Sequence, residues 1–182
     1  MAIDKRENEI LNLYRASELH GGLILGQIVR RTSDIRLIVS LTRHSAEQLL
    51  NARVWTETII RANGTLVPVE TLYDRRVSLG GAPVTIIDTL AVVQVVEKET
   101  CDHLLAQLAA GNVHPIFDDT MKRMIDVERR HIDWVKAWLY DESRQHQKEV
   151  RRALRRYAVQ SSETVPVFRT PPGETIELHP SS

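Results

Sequence analysis

The sequence has one cysteine, Cys101, which rules out an internal disulfide framework and suits a reducing compartment. Aromatic residues make up only 5%, so the apolar residues are mainly Leu, Val, Ile and Ala. Neither sign of charge is in excess. With 24 Lys and Arg against 24 Asp and Glu, no global field draws the chain to nucleic acid or to an anionic membrane. No uninterrupted apolar run reaches the ~18 residues of a membrane span. The opening stretch, MAIDKRENEI, is charged where a secretory leader would be apolar. The expectation is a soluble, cytoplasmic protein. At 182 residues it is long enough for one domain with a real core.

What is present is helical periodicity, in four long segments. The first runs from about Lys5 to Thr32. The second follows an N-cap signal, TSD at 32–34, and stops at Asn63-Gly64. The third starts near Pro83 and stops at Gly111. The fourth starts at Pro115 and continues past Trp138, with a break expected near Asp141–Gln145. Connections of about two and three residues make the first and second helices one antiparallel hairpin, and the third and fourth another. Some twenty residues, TLVPVETLYDRRVSLGGAP, separate the hairpins. So long a loop needs a reason in a compact domain, and travelling the length of a bundle supplies one. Residues 1–142 then form the bundle and 143–160 a basic helical extension. Residues 161–182, rich in Pro, Ser and Thr, form an extended or disordered tail that Val165, Val167 and Phe168 could dock.

Written at spacings of three and four, each inward stripe carries polar groups at its middle. The first reads Leu11, Tyr14, Glu18, Gly21, Leu25, Ile28, and the second Leu37, Leu41, His44, Gln48, Asn51, Trp55. The third reads Ile87, Leu90, Gln94, Glu97, Cys101, Leu104, Leu108. The fourth reads Phe117, Met121, Met124, Glu128, His131, Val135, Trp138. Glu18, Glu97 and Glu128 should therefore meet at one level. A buried anion costs several kcal/mol unless it is paired or metal-bound, and no Lys or Arg lies on these stripes. Either the carboxyls are protonated or cations sit among them. Carboxylate oxygen with imidazole nitrogen suits iron, manganese or zinc better than calcium.

These residues resemble the ferritin-like superfamily, in particular its rubrerythrin-like dimetal-carboxylate members. That pattern places Glu on the first and third helices and Glu-x-x-His on the second and fourth, with a long crossover between the hairpins. Glu18 matches the first helix, Glu97 the third, and ERRH at 128–131 the fourth. AEQLLNARVW at 46–55 looks like the second-helix segment, and the likeness covers about residues 5–142. It implies an all-α antiparallel four-helix bundle with Glu18, Glu97, Glu128 and His131 as metal ligands. Iron is the first expectation, as one or two ions, with manganese or zinc as alternatives. Tyr14 and Gln94 would stand just behind the ligands.

The second helix departs from the pattern. Aligned on Ala52 and Trp55, its ligand positions hold Gln48 and Asn51. Glu47 is one residue off and would reach in from the flank, while His44, one turn before Gln48, offers a substitute ligand. A two-metal site, a single metal and a vestigial polar core all stay open. The implied function is oxidation with dioxygen or peroxide, of a substrate the sequence does not specify. With no Cys-x-x-Cys pair present, electrons must come from a separate partner. The alternative is a non-catalytic binding or assembly module. A homodimer is expected, and neither a membrane nor a nucleic acid as partner.

Smaller features read as structural. GGLILG at 21–26 lies inside the first helix and permits close packing rather than cradling a phosphate. HQKEVRRALRRY at 146–157 carries a short apolar stripe, Val150, Leu154 and Tyr157, suited to packing on its own bundle or on a second subunit.

Overall fold

Residues 3–111 and 115–158 are described by the structure, a computed structural model. The described residues form five helices and no strand: α1 (Lys5–Val29), α2 (Ile35–Arg61), α3 (Leu72–Gly80), α4 (Ile86–Ala109) and α5 (Pro115–Tyr157). Each helix start is set by its cap. Asp4 and Glu7 form a capping box on α1, Asp34 accepts from Arg36 and Leu37 on α2, and Thr85 with Asp88 boxes α4. That last box places the start of α4 at Ile86, beyond Pro83. The first helix ends at Val29 rather than Thr32. At the end of α2, Asn63 takes a left-handed conformation (φ 55°), and the Gly64 N–H bonds back to the Ile59 carbonyl, closing the helix.

Paired residues fix the directions. Glu18 meets Asn51 and Tyr14 meets Trp55, so α1 and α2 are antiparallel. Thr58 meets Thr120, Glu47 meets His131 and His44 meets Trp134, so α2 and α5 are antiparallel too. α1 packs on α2 and α4, and α5 on α4 and α2. With α4 and α5 only five residues apart in sequence and packed on each other, the long helices run up, down, down and up, and each is antiparallel to its neighbours.

The connection from α2 to α4 travels along α1, as its length requires. Thr65 and Val67 bond to Asn8 and Asn12 through N–H and C=O, and the Leu72 N–H bonds to Ser17. Side chains of α1 thus satisfy backbone groups that an extended segment would otherwise leave orphaned. The connection is not loop throughout. The nine residues of α3 begin at a capping box of Thr71 and Asp74, and bury Leu72 and Tyr73. The signal, TLYD, was present in the sequence.

The kink in α5 falls at His146 (φ −122°, ψ 41°), just past the expected break. Beyond it Val150, Ala153 and Tyr157 are buried against α3 and α4, so the basic extension packs on its own chain. The expected tail, residues 161–182 with Val165, Val167 and Phe168, lies outside the described residues. Among the described residues no helix is long and apolar enough to cross a membrane.

The buried apolar residues divide into two clusters. One gathers Leu25, Leu41, Leu90, Val93 and Val135, and the other Tyr14, Trp55, Leu104, Phe117 and Met124. Between them, at one level of all four long helices, lie Glu18, His44, Gln48, Asn51, Glu97, Glu128 and His131, every one buried.

Candidate metal centre

The polar layer is built from one or two turns of each long helix. α4 supplies Glu97, whose Oε1 lies 2.5 Å from His44 Nε2 and accepts a hydrogen bond from Gln48 Nε2 at 2.8 Å. α5 supplies Glu128 and His131, three residues apart and so on one face. His131 donates from Nε2 to Glu47 Oε2 at 2.7 Å, which leaves Nδ1 as a bare lone pair facing Glu97 at 3.9 Å. Glu47 is a third exposed and reaches in from the flank of α2, as its register requires. A carboxylate on the outer nitrogen of a histidine fixes ring and tautomer, an arrangement that metal-ligating histidines use.

α1 supplies Glu18, whose Oε2 accepts from Asn51 Nδ2 at 3.2 Å. The Glu18 and Glu128 carboxyls face each other closely enough to share a proton. The amides of Gln48 and Asn51, which hold the second-helix ligand positions of the pattern, thus turn N–H groups toward carboxyls. Gln48 is steered by what surrounds it. A Cβ at Gly21 would sit within contact of Gln48 Oε1 and 2.7 Å from the Tyr73 hydroxyl, so only glycine leaves room there.

Burial dominates the electrostatics. It pushes Glu18 up to about 8, with the charge of Glu97 adding to it against the contacts from Glu128 and Asn51. It pushes Glu97 and Glu128 well above the carboxylate range, and for Glu128 the charges of Glu18 and Glu97 reinforce the shift. His44 and His131 are each lowered to about 3 by burial, so both imidazoles are neutral at pH 7. Partial burial would raise Glu47, but the His131 hydrogen bond and the charges of Arg43 and Arg130 hold it below its usual value.

The donor set fits a metal ion. Ligand atoms of His44, Glu97 and His131 lie within 4.8 Å of one another, and all three residues are buried, so this group could hold one ion. Glu97 Oε2 and His131 Nδ1 are buried without a hydrogen-bond partner, while Glu18 Oε1 and Glu128 Oε2 reach no N–H donor. Buried acceptors left in this way cost free energy that a cation would recover. Oxygen and imidazole nitrogen are donors for iron, manganese or zinc.

The two residues expected behind the ligands each lie one turn from a carboxyl, Tyr14 from Glu18 and Gln94 from Glu97. Tyr14 packs on Trp55, and its hydroxyl lies beside Gln107, one layer below the carboxyls; burial raises it above its usual value. Gln94 is half-buried one turn from Glu97. Two residues were missed. Tyr73, from α3, sets its hydroxyl against Gln48 and in the field of Glu97, Glu128 and Glu18. Trp134, one turn after His131, donates from Nε1 to His44 Nδ1 at 3.1 Å. Tyr73 lay in a segment read as loop, and Trp134 lies off the stripe that carries Glu128 and His131.

Comparison with known proteins gives no relative: no family model, no curated protein and no solved structure matches this chain.

Proposed function

We propose that the chain is a ferritin-like metalloprotein, an oxidoreductase that uses dioxygen or peroxide on a substrate still to be identified. The observation that carries this reading is the layer of Glu18, Glu97, Glu128 and His131, buried between two apolar clusters with acceptor atoms left over. The up-down-down-up order with a crossover along α1 agrees with it. Iron is the proposed metal, with manganese or zinc as alternatives, and when bound it would supply the redox chemistry.

The chain's own residues do the rest. The apolar clusters exclude bulk water, which strengthens every electrostatic interaction at the layer. Glu47 orients His131 and, being a third exposed, joins its outer nitrogen to solvent as a route for a proton. One cysteine offers no dithiol, so the electrons come from a separate donor. We place the protein in the cytoplasm and as a homodimer.

One observation favours a second reading, a non-catalytic binding or assembly module. Gln48 and Asn51 already donate to Glu97 and Glu18, which partly satisfies the layer without metal. Anaerobic loading with ferrous iron followed by oxygen-electrode measurement separates the two. Oxygen uptake that depends on the iron and is lost in Glu128→Gln supports the oxidoreductase. Bound iron without uptake supports the module.

A further inference from the structure

Resting on the metal-binding reading above, we infer that the layer takes one ion per chain, and that His44 is a positioning residue rather than a ligand. Its ring is committed on both sides. The indole N–H of Trp134 can only donate, so His44 Nδ1 must accept and carries no proton. A neutral imidazole then has its proton on Nε2, the atom that points at Glu97 Oε1 from 2.5 Å. Gln48 Nε2 also lies 3.3 Å from that nitrogen, but its amide hydrogen is given to Glu97 Oε1 at the shorter 2.8 Å, so Nε2 keeps its proton and has no free lone pair for a metal while Trp134 holds the other.

The geometry of the two rings agrees. His44 and His131 are stacked, with centroids 3.7 Å apart and planes tilted by 35°. Two imidazoles on one ion radiate from it at about 90° or wider, which spreads the rings apart. His131 is the opposite case to His44. Its Nε2 donates to Glu47, and its Nδ1 is bare, buried and aimed inward.

The ion therefore falls to Glu97 and His131, two of the three residues whose ligand atoms lie within 4.8 Å of one another, and Glu18 and Glu128, buried in the same layer with an acceptor atom each left over, would turn to it on loading. On the second-helix side three N–H donors stand in place of a second cation: His44 and Gln48 on Glu97, and Asn51 on Glu18. Three carboxylates with one divalent ion leave a single negative charge. Those donors stabilise it by hydrogen bonding, whereas a second ion would meet their hydrogens.

The test uses zinc and the full-length protein. Zinc is counted by elemental analysis after equilibrium dialysis. The protonated nitrogen of His44 and the Trp134 indole N–H are followed by nitrogen-proton NMR, with Trp134→Phe identifying the indole signal among the three tryptophans. The inference expects one zinc per chain, kept in His44→Gln, which retains a donor near the Nε2 position, and lost in His131→Leu. His44→Leu, with no donor, should weaken zinc about 10–100-fold. In the zinc-loaded protein His44 should still carry its proton on Nε2, and the Trp134 indole signal should keep its hydrogen-bonded shift. Two zinc ions per chain, loss of zinc in His44→Gln, or transfer of the His44 proton to Nδ1 on loading would overturn the inference and leave metal binding intact. No zinc bound by the wild type, with none displaced by iron or manganese, would overturn both. The NMR readout on wild type decides the role of His44 even where a variant fails to fold.

Discussion

Asn51 Nδ2 lies 3.2 Å from Glu18 Oε2, across the interface between α1 and α2. An amide hydrogen thus occupies a place where the ferritin-like pattern would have an imidazole ligand. Replacing Gln48 by Glu and Asn51 by His together should raise metal content from one ion per chain toward two. The same double variant without metal should melt below wild type, because it adds a fourth buried acid to a layer already short of donors. Elemental analysis and melting temperature with and without chelator check both halves. Unchanged metal content would mean these positions do not face the ion.

Glu128→Gln keeps the side chain's shape and removes its charge. Metal should be lost or weakened at least 100-fold. At pH 8 the metal-free variant should be more stable than metal-free wild type, because an acid that burial and two neighbouring carboxyls oppose has gone. Urea denaturation in chelator measures this. A variant less stable than wild type at pH 8 would contradict the electrostatic account of the layer.

The metal-free fold should lose stability as pH rises from 6.5 to 8. Glu18 is raised to about 8 from an ordinary 4.5, so the folded chain holds a proton that the unfolded chain has released. More protons bound to the native state means stability falls with rising pH, by about 1.4 kcal/mol per unit for each proton retained, and Glu97 and Glu128, raised in the same way, add to the fall. His44 and His131, lowered to about 3, act only below 6.5, where they give the opposite slope. A bound ion has already displaced the carboxyl protons, so the loaded protein should show no such fall, and metal should bind more tightly at pH 8 than at 6.5. Denaturation curves at both pH values, with and without metal, read the sign directly.

Gly21→Ala should destabilise the chain even though alanine is the better helix former. The added methyl meets Gln48 Oε1 and the Tyr73 hydroxyl, and both are buried with little room to give way. The expected cost is about 1–3 kcal/mol by urea denaturation, together with weaker metal binding as Gln48 is pushed from Glu97. A more stable variant would mean that the α1–α2–α3 contact is looser than described.

Much of the fold was legible because the chemistry is local. Stripes at spacings of three and four placed Glu18, Gln48, Glu97, Glu128 and His131 inward, and all are buried. Caps at Asp34 and Asn63 set the limits of α2. What the stripes did not carry was contact between elements. α3 hid in a segment expected to be loop, although Thr71 and Asp74 mark its start. The pairing of Trp134 with His44 joins residues ninety positions apart, and no periodicity on one helix reports it. The amides of Gln48 and Asn51 were placed, but which end faces the carboxyls depends on neighbours from α1, α3 and α4.

The central claim is that the buried layer binds a transition metal, and the metal content of protein purified without added metal tests it most directly. Elemental analysis should find about one iron, manganese or zinc per chain, reduced to background in Glu128→Gln. A protein that carries none of the three, and takes up none when they are supplied at pH 8, would contradict the account.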